Sequence, residues 1–239
     1  MQMVFDSDRL LALAEQARAA YAMATPFPHC VLDDFLTTEA AERLAQVFPR
    51  PDQDVAWQQF SVSGFEVKLA SNAIERLPEA IGSALLQFNS GPFLRFLERL
   101  TGIEHLLADP HLAGGGVHLI GKGGHLGVHA DFNWHPGIKV HRRINFLLYL
   151  NHGWRPEYHG ELELWSTDAS RMVKSVTPLF NRAVIFNTRS DTFHGHPVPL
   201  EVPDGVYRRS LALYYYSSER PQHELMEAHS TRYKGYHIA

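Results

Sequence analysis

The chain is predicted to be an α+β protein with a mainly β core, a jelly roll backed by N-terminal helices. Three observations carry this prediction. Apolar residues recur with helical period only in the first half; from about Gly115 the pattern changes to short apolar runs separated by Gly, Pro and Asn; and no internal repeat is visible. Short strands at such spacing indicate a sandwich or barrel, and a double-sheet jelly roll is the form that holds a small site between its sheets.

The elements follow in order. Leu10, Leu11, Leu13, Ala14 and Ala17 recur with helical period after the potential cap Ser7, predicting an amphipathic helix over about residues 7–22. The apolar run 29–36 reads as a strand. Thr37 or Thr38 can cap a helix whose Ala40, Leu44, Val47 and Phe48 share a face, and Pro49 follows its end. Residues 51–72 are polar and show no clear period. A helix from about Pro78 carries Ile81, Leu85 and Phe88 on one stripe. The next, from Pro92, carries Phe93, Phe96, Leu97 and Leu100, with Ser90 and Gly102 as start and stop signals. Further on, strands are expected over 117–120, 144–150, 161–165, 183–186 and 210–216, and the tail from Ser217 is polar and partly irregular.

At 239 residues the chain fits one domain over 1–239, with a mostly helical support region (1–114), a β core (115–216) and a C-terminal tail (217–239). A net charge of -4 and a pI near 6.4 argue against nucleic acid or an anionic membrane surface as the main partner. A small or neutral substrate remains open, and no signal for an oligomeric state is present. Cys30 is the only cysteine, so no intrachain disulfide can form, in keeping with a reducing compartment. Asp6, Asp8, Arg9, Glu15 and Arg18 break up residues 1–24, which fits neither a signal peptide nor a membrane span. A cytoplasmic location is expected.

The chemistry concentrates in residues 124–133, a glycine-rich and then apolar segment that reads as a buried strand and carries His129 and Asp131 two residues apart. Side chains two apart on a strand share a face, so an imidazole and a carboxylate converge there. These are two of the three ligands of a 2-His-1-carboxylate metal site. With 15 His and 11 Asp in the chain, about one such spacing arises by chance, so the spacing alone decides nothing. What singles it out is that a charged Asp in an apolar strand is costly to bury unless paired or metal-bound. His159-Gly160-Glu161 repeats the spacing but reads as a turn entering a strand with an exposed Glu. A third ligand is offered by residues 191–197, which hold both His194 and His196.

Strand alternation separates a core face from a pocket face. Ile144, Phe146, Leu148 and Leu150 point one way, and Asn145, Leu147 and Tyr149 the other. Asn and Tyr together rarely line a purely structural core, so Asn145 and Tyr149 are assigned to a pocket. Likewise Arg208, Ser210, Ala212, Tyr214 and Tyr216 share a face opposite Arg209, Leu211, Leu213 and Tyr215.

The ordered set His129-x-Asp131, Tyr149-Leu150-Asn151, Gly160 with Leu162 and Leu164, His194 and Arg208-x-Ser210 resembles the prolyl-4-hydroxylase-like branch of the iron(II)- and 2-oxoglutarate-dependent dioxygenases. The resemblance covers about residues 115–216, and residues 26–49 are similar to the strand and helix that precede the catalytic core in such proteins. It implies a double-stranded β-helix, a cupin-like jelly roll, with Fe(II) held by His129, Asp131 and His194. It also implies 2-oxoglutarate and O2 as co-substrates, with Arg208 gripping the distal carboxylate and Ser210 and Tyr149 donating hydroxyls. The implied reaction hydroxylates an unactivated C–H of a small molecule or a peptidyl side chain such as prolyl, converting 2-oxoglutarate to succinate and CO2. A carboxylate at Asp131 favours hydroxylation over halogenation, which in related enzymes goes with a small residue at that position.

Independently of the resemblance, a planar guanidinium pairs bidentately with a carboxylate, and Arg208 on an inner face without an anion would be an unpaired buried charge. The loop 197–207 is longer than the commonest family spacing. Arg209 competes with Arg208 for the anchor role, and alternation favours Arg208 because it shares the face of Ser210. His196 competes with His194, which the resemblance favours because the family motif places a Gly after the ligand and a Pro a little later, as Gly195 and Pro197 stand here. Asn133, His135 and Asn145 are candidates for substrate contact, while His125 and His135 otherwise read as rim or core histidines. Specificity is expected in the loops 61–72, 133–141 and 151–159, with Arg142, Arg143, Arg155 and Arg189 available to an acidic group.

Two other classes stay open at this level. A non-catalytic jelly roll binding a sugar or a protein would account for the strands and for Trp134, Trp154 and Trp165, but not for three ligand types beside Arg-x-Ser. A zinc-dependent hydrolase also uses His and Asp around an open coordination position, and leaves Arg208 and Ser210 without a task.

Overall fold

The computed structural model describes residues 3–62 and 65–235. Its elements in chain order are α1 (Ser7–Met23), β1 (His29–Leu32), α2 (Thr38–Gln46), β2 (Gln58–Val62), β3 (Glu66–Ser71), α3 (Glu79–Phe88), α4 (Gly91–Thr101), β4 (Leu107–Ala108), β5 (Gly116–Ile120), β6 (His125–Ala130) and β7 (Trp134–His135). There follow β8 (Val140–Tyr149), β9 (Leu162–Trp165), β10 (Met172–Val176), β11 (Arg182–Asn187), β12 (His194–His196), β13 (Arg208–Ser217) and β14 (Arg232–Tyr233). Among the described residues the strand pairings are antiparallel and follow one path, β1-β11-β8-β13-β5-β3-β6-β12-β9-β10, with β14 added to β6, β2 to β3, β4 to β13 and β7 to β8. The path curls into a nearly closed jelly roll, the double-stranded β-helix expected. Its curvature brings β8 and β6, distant along the path, to opposite walls of one cavity, where Asn145 hydrogen-bonds Asp131.

Burial follows the alternation of β8. Ile144, Phe146, Leu148 and Leu150 join Leu10 and Ala14 of α1, Leu44 of α2, Ile81, Leu85 and Phe88 of α3, and Phe93, Phe96, Leu97 and Leu100 of α4 in one cluster. Each such side chain, fully buried, contributes about 1.5–3 kcal/mol relative to exposure, and the aromatic pairs add geometry, with Phe93 and Phe146 centroids 5.0 Å apart. The opposite face of β8 turns inward, where Tyr149 packs with Leu162, Leu164, Val176, Val184 and Phe186. The helices therefore brace one wall of the roll from outside and leave its interior to the site.

Several expectations are corrected. The cap of α1 is Asp6, not Ser7: its carboxylate accepts the N–H groups of Asp8 and Arg9, the positions an N-cap serves. The first strand ends at Leu32, because Asp34 takes positive φ and turns the chain toward α2. Residues 61–72, expected as a mouth loop, fall largely in the β2–β3 hairpin, and β3 enters the sheet between β5 and β6. The N-terminal region thus supplies strands to the roll as well as helices to its back. Residues 63 and 64 of that loop, residues 1 and 2, and residues 236–239 of the tail lie outside the described residues. The described part of the tail includes β14, which pairs Tyr233 with His129. At the other end of the helical region, Gly102 closes α4 at φ 72, as its stop signal requires. No helix among the described residues is long and apolar enough to cross a membrane.

Candidate metal centre and co-substrate pocket

β6 and β12 are paired so that His129 and His194 are cross-strand neighbours, and their ring centroids lie 4.4 Å apart. Asp131 follows β6 on the face of His129. The three residues offer ligand atoms that all lie within 4.8 Å of one another. Each imidazole is oriented from behind: Nδ1 of His129 donates to the Gly127 carbonyl at 2.8 Å, and Nδ1 of His194 to the Thr192 carbonyl at 3.1 Å. Both Nε2 atoms then face the Asp131 carboxylate at 3.4 Å. Burial pushes His194 down to about 4, so its ring is neutral near pH 7. A neutral ring whose Nδ1 carries the proton presents a lone pair at Nε2. Lone pairs and a carboxylate directed at one point repel each other unless a cation sits among them, and this donor set is the one that suits Fe(II).

Asp131 is only 11% exposed at its side chain. Burial works to raise its pKa, but the Arg142 guanidinium beside it, with His194 and His129, wins and holds the carboxyl well below the usual range. Arg142 Nη2 donates to Asp131 Oδ2 at 3.0 Å and Asn145 Nδ2 donates to the same oxygen at 2.8 Å, leaving Oδ1 toward His129. Arg142 also donates through Nε and Nη2 to Asn145 Oδ1 at 3.1 and 2.8 Å. Its guanidinium lies 3.5 Å from the Tyr214 ring centroid and 4.4 Å from that of Phe132. At 1% exposure, Arg142 is a buried orienting group rather than the loop cation at the mouth that the sequence indicated.

The same cavity, about 270 Å³, is lined by Arg208, Ser210, His118 and His196 besides the His-Asp-His cluster. Ser210 pairs in register with Tyr149. Arg208 is 4% exposed; its Nε donates to the Gly160 carbonyl at 2.7 Å and its Nη2 to the Tyr149 hydroxyl at 3.1 Å. Burial raises the Tyr149 pKa against the opposing pull of Arg208, so the hydroxyl keeps its proton. Among the described residues no carboxylate forms an ion pair with Arg208. Gly160 is required where it stands: at φ +80, a Cβ would collide with Leu200 Cδ2 and lie 3.2 Å from Arg208 Cδ. Arg209 lies on the opposite face, its backbone N–H donating to Asn151 Oδ1.

The mouth holds residues that sequence reasoning missed. Lys68 and Glu66 of β3 form an ion pair at 2.7 Å, and the Tyr233 hydroxyl donates to Glu66 at 2.9 Å. The Tyr233 ring also packs, tilted, against His129 with centroids 5.6 Å apart, so the tail closes one side of the cavity. Asn133, expected at substrate, is a structural tie instead: its Nδ2 donates to the Glu227 carbonyl and its Oδ1 accepts from the His229 N–H, both at 2.9 Å. His135 faces Asp109 at 3.4 Å and lines a neighbouring apolar recess with Trp134 and Pro136. Asn145 reaches the cavity, bonded to Asp131. His125 sits at the rim and bonds the Gly123 carbonyl, while His159 and Glu161 lie outside the cluster. Arg143 is buried against Ser217 and Glu224; Arg155 and Arg189 pair locally with Glu157 and Asp191. None of these three arginines lines the cavity.

A jelly roll with an inward His-Asp-His cluster and an anion-seeking guanidinium in one cavity describes a class: non-haem metal enzymes that use an acidic co-substrate. The family model of the 2OG-Fe(II) oxygenase superfamily matches residues 115–234, half of the chain, and the chain belongs to that superfamily. It is a 2-oxoglutarate-dependent dioxygenase, with Fe(II) as cofactor and 2-oxoglutarate and O2 as co-substrates. No curated protein matches the sequence significantly.

Among solved structures, similar folds include a prolyl hydroxylase from Trichoplax adhaerens in complex with a hypoxia-inducible-factor peptide fragment (TM-score 0.58, 18% identity, 88% of this chain and 91% of that one). A Pseudomonas putida prolyl-4-hydroxylase is similar at TM-score 0.55 and 20% identity, over 87% of this chain and 99% of that one. HygX from Streptomyces hygroscopicus, solved with nickel and 2-oxoglutarate, is similar at TM-score 0.51 and 12% identity, over 80% and 83% of the two chains.

Proposed function

We propose that His129, Asp131 and His194 hold the iron, and that Arg208, with the hydroxyls of Tyr149 and Ser210, binds the distal carboxylate of 2-oxoglutarate. The enzyme then hydroxylates an unactivated C–H of a small molecule or of a peptidyl side chain such as prolyl, yielding succinate and CO2 from the co-substrate. One observation carries this reading: a buried guanidinium without a protein anion shares a cavity with three converging metal ligands. A zinc hydrolase leaves that cation without a task, and a passive binding module does not account for the three metal ligands beside it; unpaired, the charge is costly to bury.

Held by His129, Asp131 and His194, iron would supply the activation of dioxygen, with electrons drawn from the keto acid. The chain's own residues bind, orient and exclude water. Arg142 and Asn145 fix the Asp131 carboxylate, the carbonyls of Gly127 and Thr192 fix the two rings, and Tyr149 keeps its proton to offer a hydrogen bond. Phe60, Phe132, Tyr214 and Tyr233 wall the cavity with apolar surface, while Glu66 and Lys68 leave a polar entry. The prolyl hydroxylases of similar fold favour a peptidyl substrate, and the single cysteine favours a reducing, cytoplasmic setting.

The test is 2-oxoglutarate-dependent oxygen uptake and succinate formation by the Fe(II)-loaded protein, with mass spectrometry of a cell extract for products gaining one oxygen. Activity is expected to vanish in His129→Ala and Asp131→Ala. Turnover that ignores 2-oxoglutarate, or that zinc supports as well as iron, would overturn the proposal.

A further inference from the structure

His196 is 3% exposed, and neither of its ring nitrogens has a hydrogen-bond partner among the described residues. Its backbone is held in place: at Gly195 a Cβ would lie 2.7 Å from the carbonyl oxygens of Leu126 and Gly127, so β12 is pressed onto β6. The imidazole lines the same cavity as Arg208 and Ser210, outside the His-Asp-His cluster. Buried rings with both nitrogens unmet are rare in folded proteins unless a ligand or water meets them.

Arg208 supplies the second half of the observation. Its Nε is taken by the Gly160 carbonyl and one Nη2 N–H by Tyr149, so a carboxylate can reach only the outer edge of the guanidinium. A carboxylate has about four lone-pair sites, and that edge engages two, leaving the others to the neutral donors around it.

We propose that His196 is a further donor to the distal carboxylate of 2-oxoglutarate, gripping it beside Arg208 and the hydroxyls of Tyr149 and Ser210 and making the second carboxylate a condition of tight binding. This rests on the reading of Arg208 given above. The imidazole donates a ring N–H to an oxygen the guanidinium leaves free; it stands two residues beyond His194 on β12, in the same cavity and outside the metal-ligand cluster.

Calorimetric titration of the anaerobic Fe(II)-loaded protein with 2-oxoglutarate, and separately with 2-oxobutyrate, which lacks the distal carboxylate, tests the proposal. His196→Leu should raise the Kd for 2-oxoglutarate roughly ten-fold or more, the scale of a lost charge-assisted hydrogen bond, and leave the Kd for 2-oxobutyrate unchanged. His196→Gln, which keeps an N–H of similar reach, should recover most of the affinity. An unchanged Kd for 2-oxoglutarate in His196→Leu overturns the proposal, as does equal weakening of both keto acids, the mark of a packing role. Arg208→Leu in the same titration separates the two levels. If it binds 2-oxoglutarate as the parent does, or the parent binds none, the Arg208 anchor fails as well; if Arg208→Leu loses binding while His196→Leu keeps it, only the role of His196 fails.

Discussion

Arg142→Met is the perturbation that most sharply separates an organised metal site from a coincidence of side chains. The substitution keeps an unbranched apolar stem between Tyr214 and Phe132 but removes the bond to Asp131 at 3.0 Å and the fork onto Asn145. Asp131 is then a buried carboxylate with no neighbouring permanent cation, and breaking a buried pair in this way costs about 3–5 kcal/mol. For a chain of this size each kcal/mol moves Tm by about 2–4 °C, so the metal-free protein should melt roughly 6–20 °C lower. Losing the group that orients a ligand also weakens metal binding about 10–100-fold. Arg142→Lys, which retains charge without the fork, should fall between the two.

The assay is thermal unfolding with and without added divalent metal, run beside Asp131→Asn and the double variant. Saturating metal should restore part of the Tm lost in Arg142→Met, because the ion takes over neutralisation of Asp131. In the Asp131→Asn background the same substitution should cost markedly less, since the two residues are coupled. A Tm unchanged within the error of the melt, or a cost independent of residue 131, would refute the claim that Arg142 exists to hold that carboxylate.

Three further outcomes are expected. Urea unfolding of the metal-free protein should show stability falling as pH drops from about 6.5 toward 4, since burial lowers the pKa of His118, His194 and His196 and the unfolded chain binds more protons than the folded one across that window. Asp131, whose folded pKa is depressed, loses its contribution only below the ordinary carboxylate range, so constant stability between pH 7 and 5 would contradict the buried neutral rings. Gly160→Ala should destabilise by about 1–3 kcal/mol through strain at φ +80 and displace Arg208, read as a raised KM for 2-oxoglutarate; a KM equal to the parent's would show that Arg208 does not depend on the Gly160 carbonyl. Phe93→Ala, in the helix-side core against Phe88, Phe96 and Phe146, should cost about 3–5 kcal/mol in chemical denaturation while leaving kcat of the folded fraction intact; a lowered kcat would show that the helices shape the site as well as brace it.

What could be read from the sequence was whatever local periodicity encodes. Alternation in β8 and β13 sorted Ile144, Phe146, Leu148 and Leu150 to the helix side and Arg208 and Ser210 to the interior, because a fixed period of two leaves each side chain one face. The same rule placed His129 and Asp131 together. Long-range partnership left no such trace. Arg142 and Arg143 are adjacent and charged, a pattern that ordinarily marks a solvated strand end, and only the folding of β6 against β8 brings Asp131 to Arg142. Asn133 reads like a free polar group because its partners lie at residues 227–229. The β2–β3 hairpin escaped because its outer strand is exposed on both faces, so no apolar alternation survives in residues 58–62. Tyr233 belongs to a strand of two residues, too short to carry any period.

The most direct measurement is the visible spectrum of the anaerobic protein on adding Fe(II) and then 2-oxoglutarate. A weak charge-transfer band should appear only when both are present, and should be lost in His129→Ala and Asp131→Ala. A spectrum with no band at saturating concentrations, or a band that persists when either residue is removed, would contradict the assignment of these side chains to the iron.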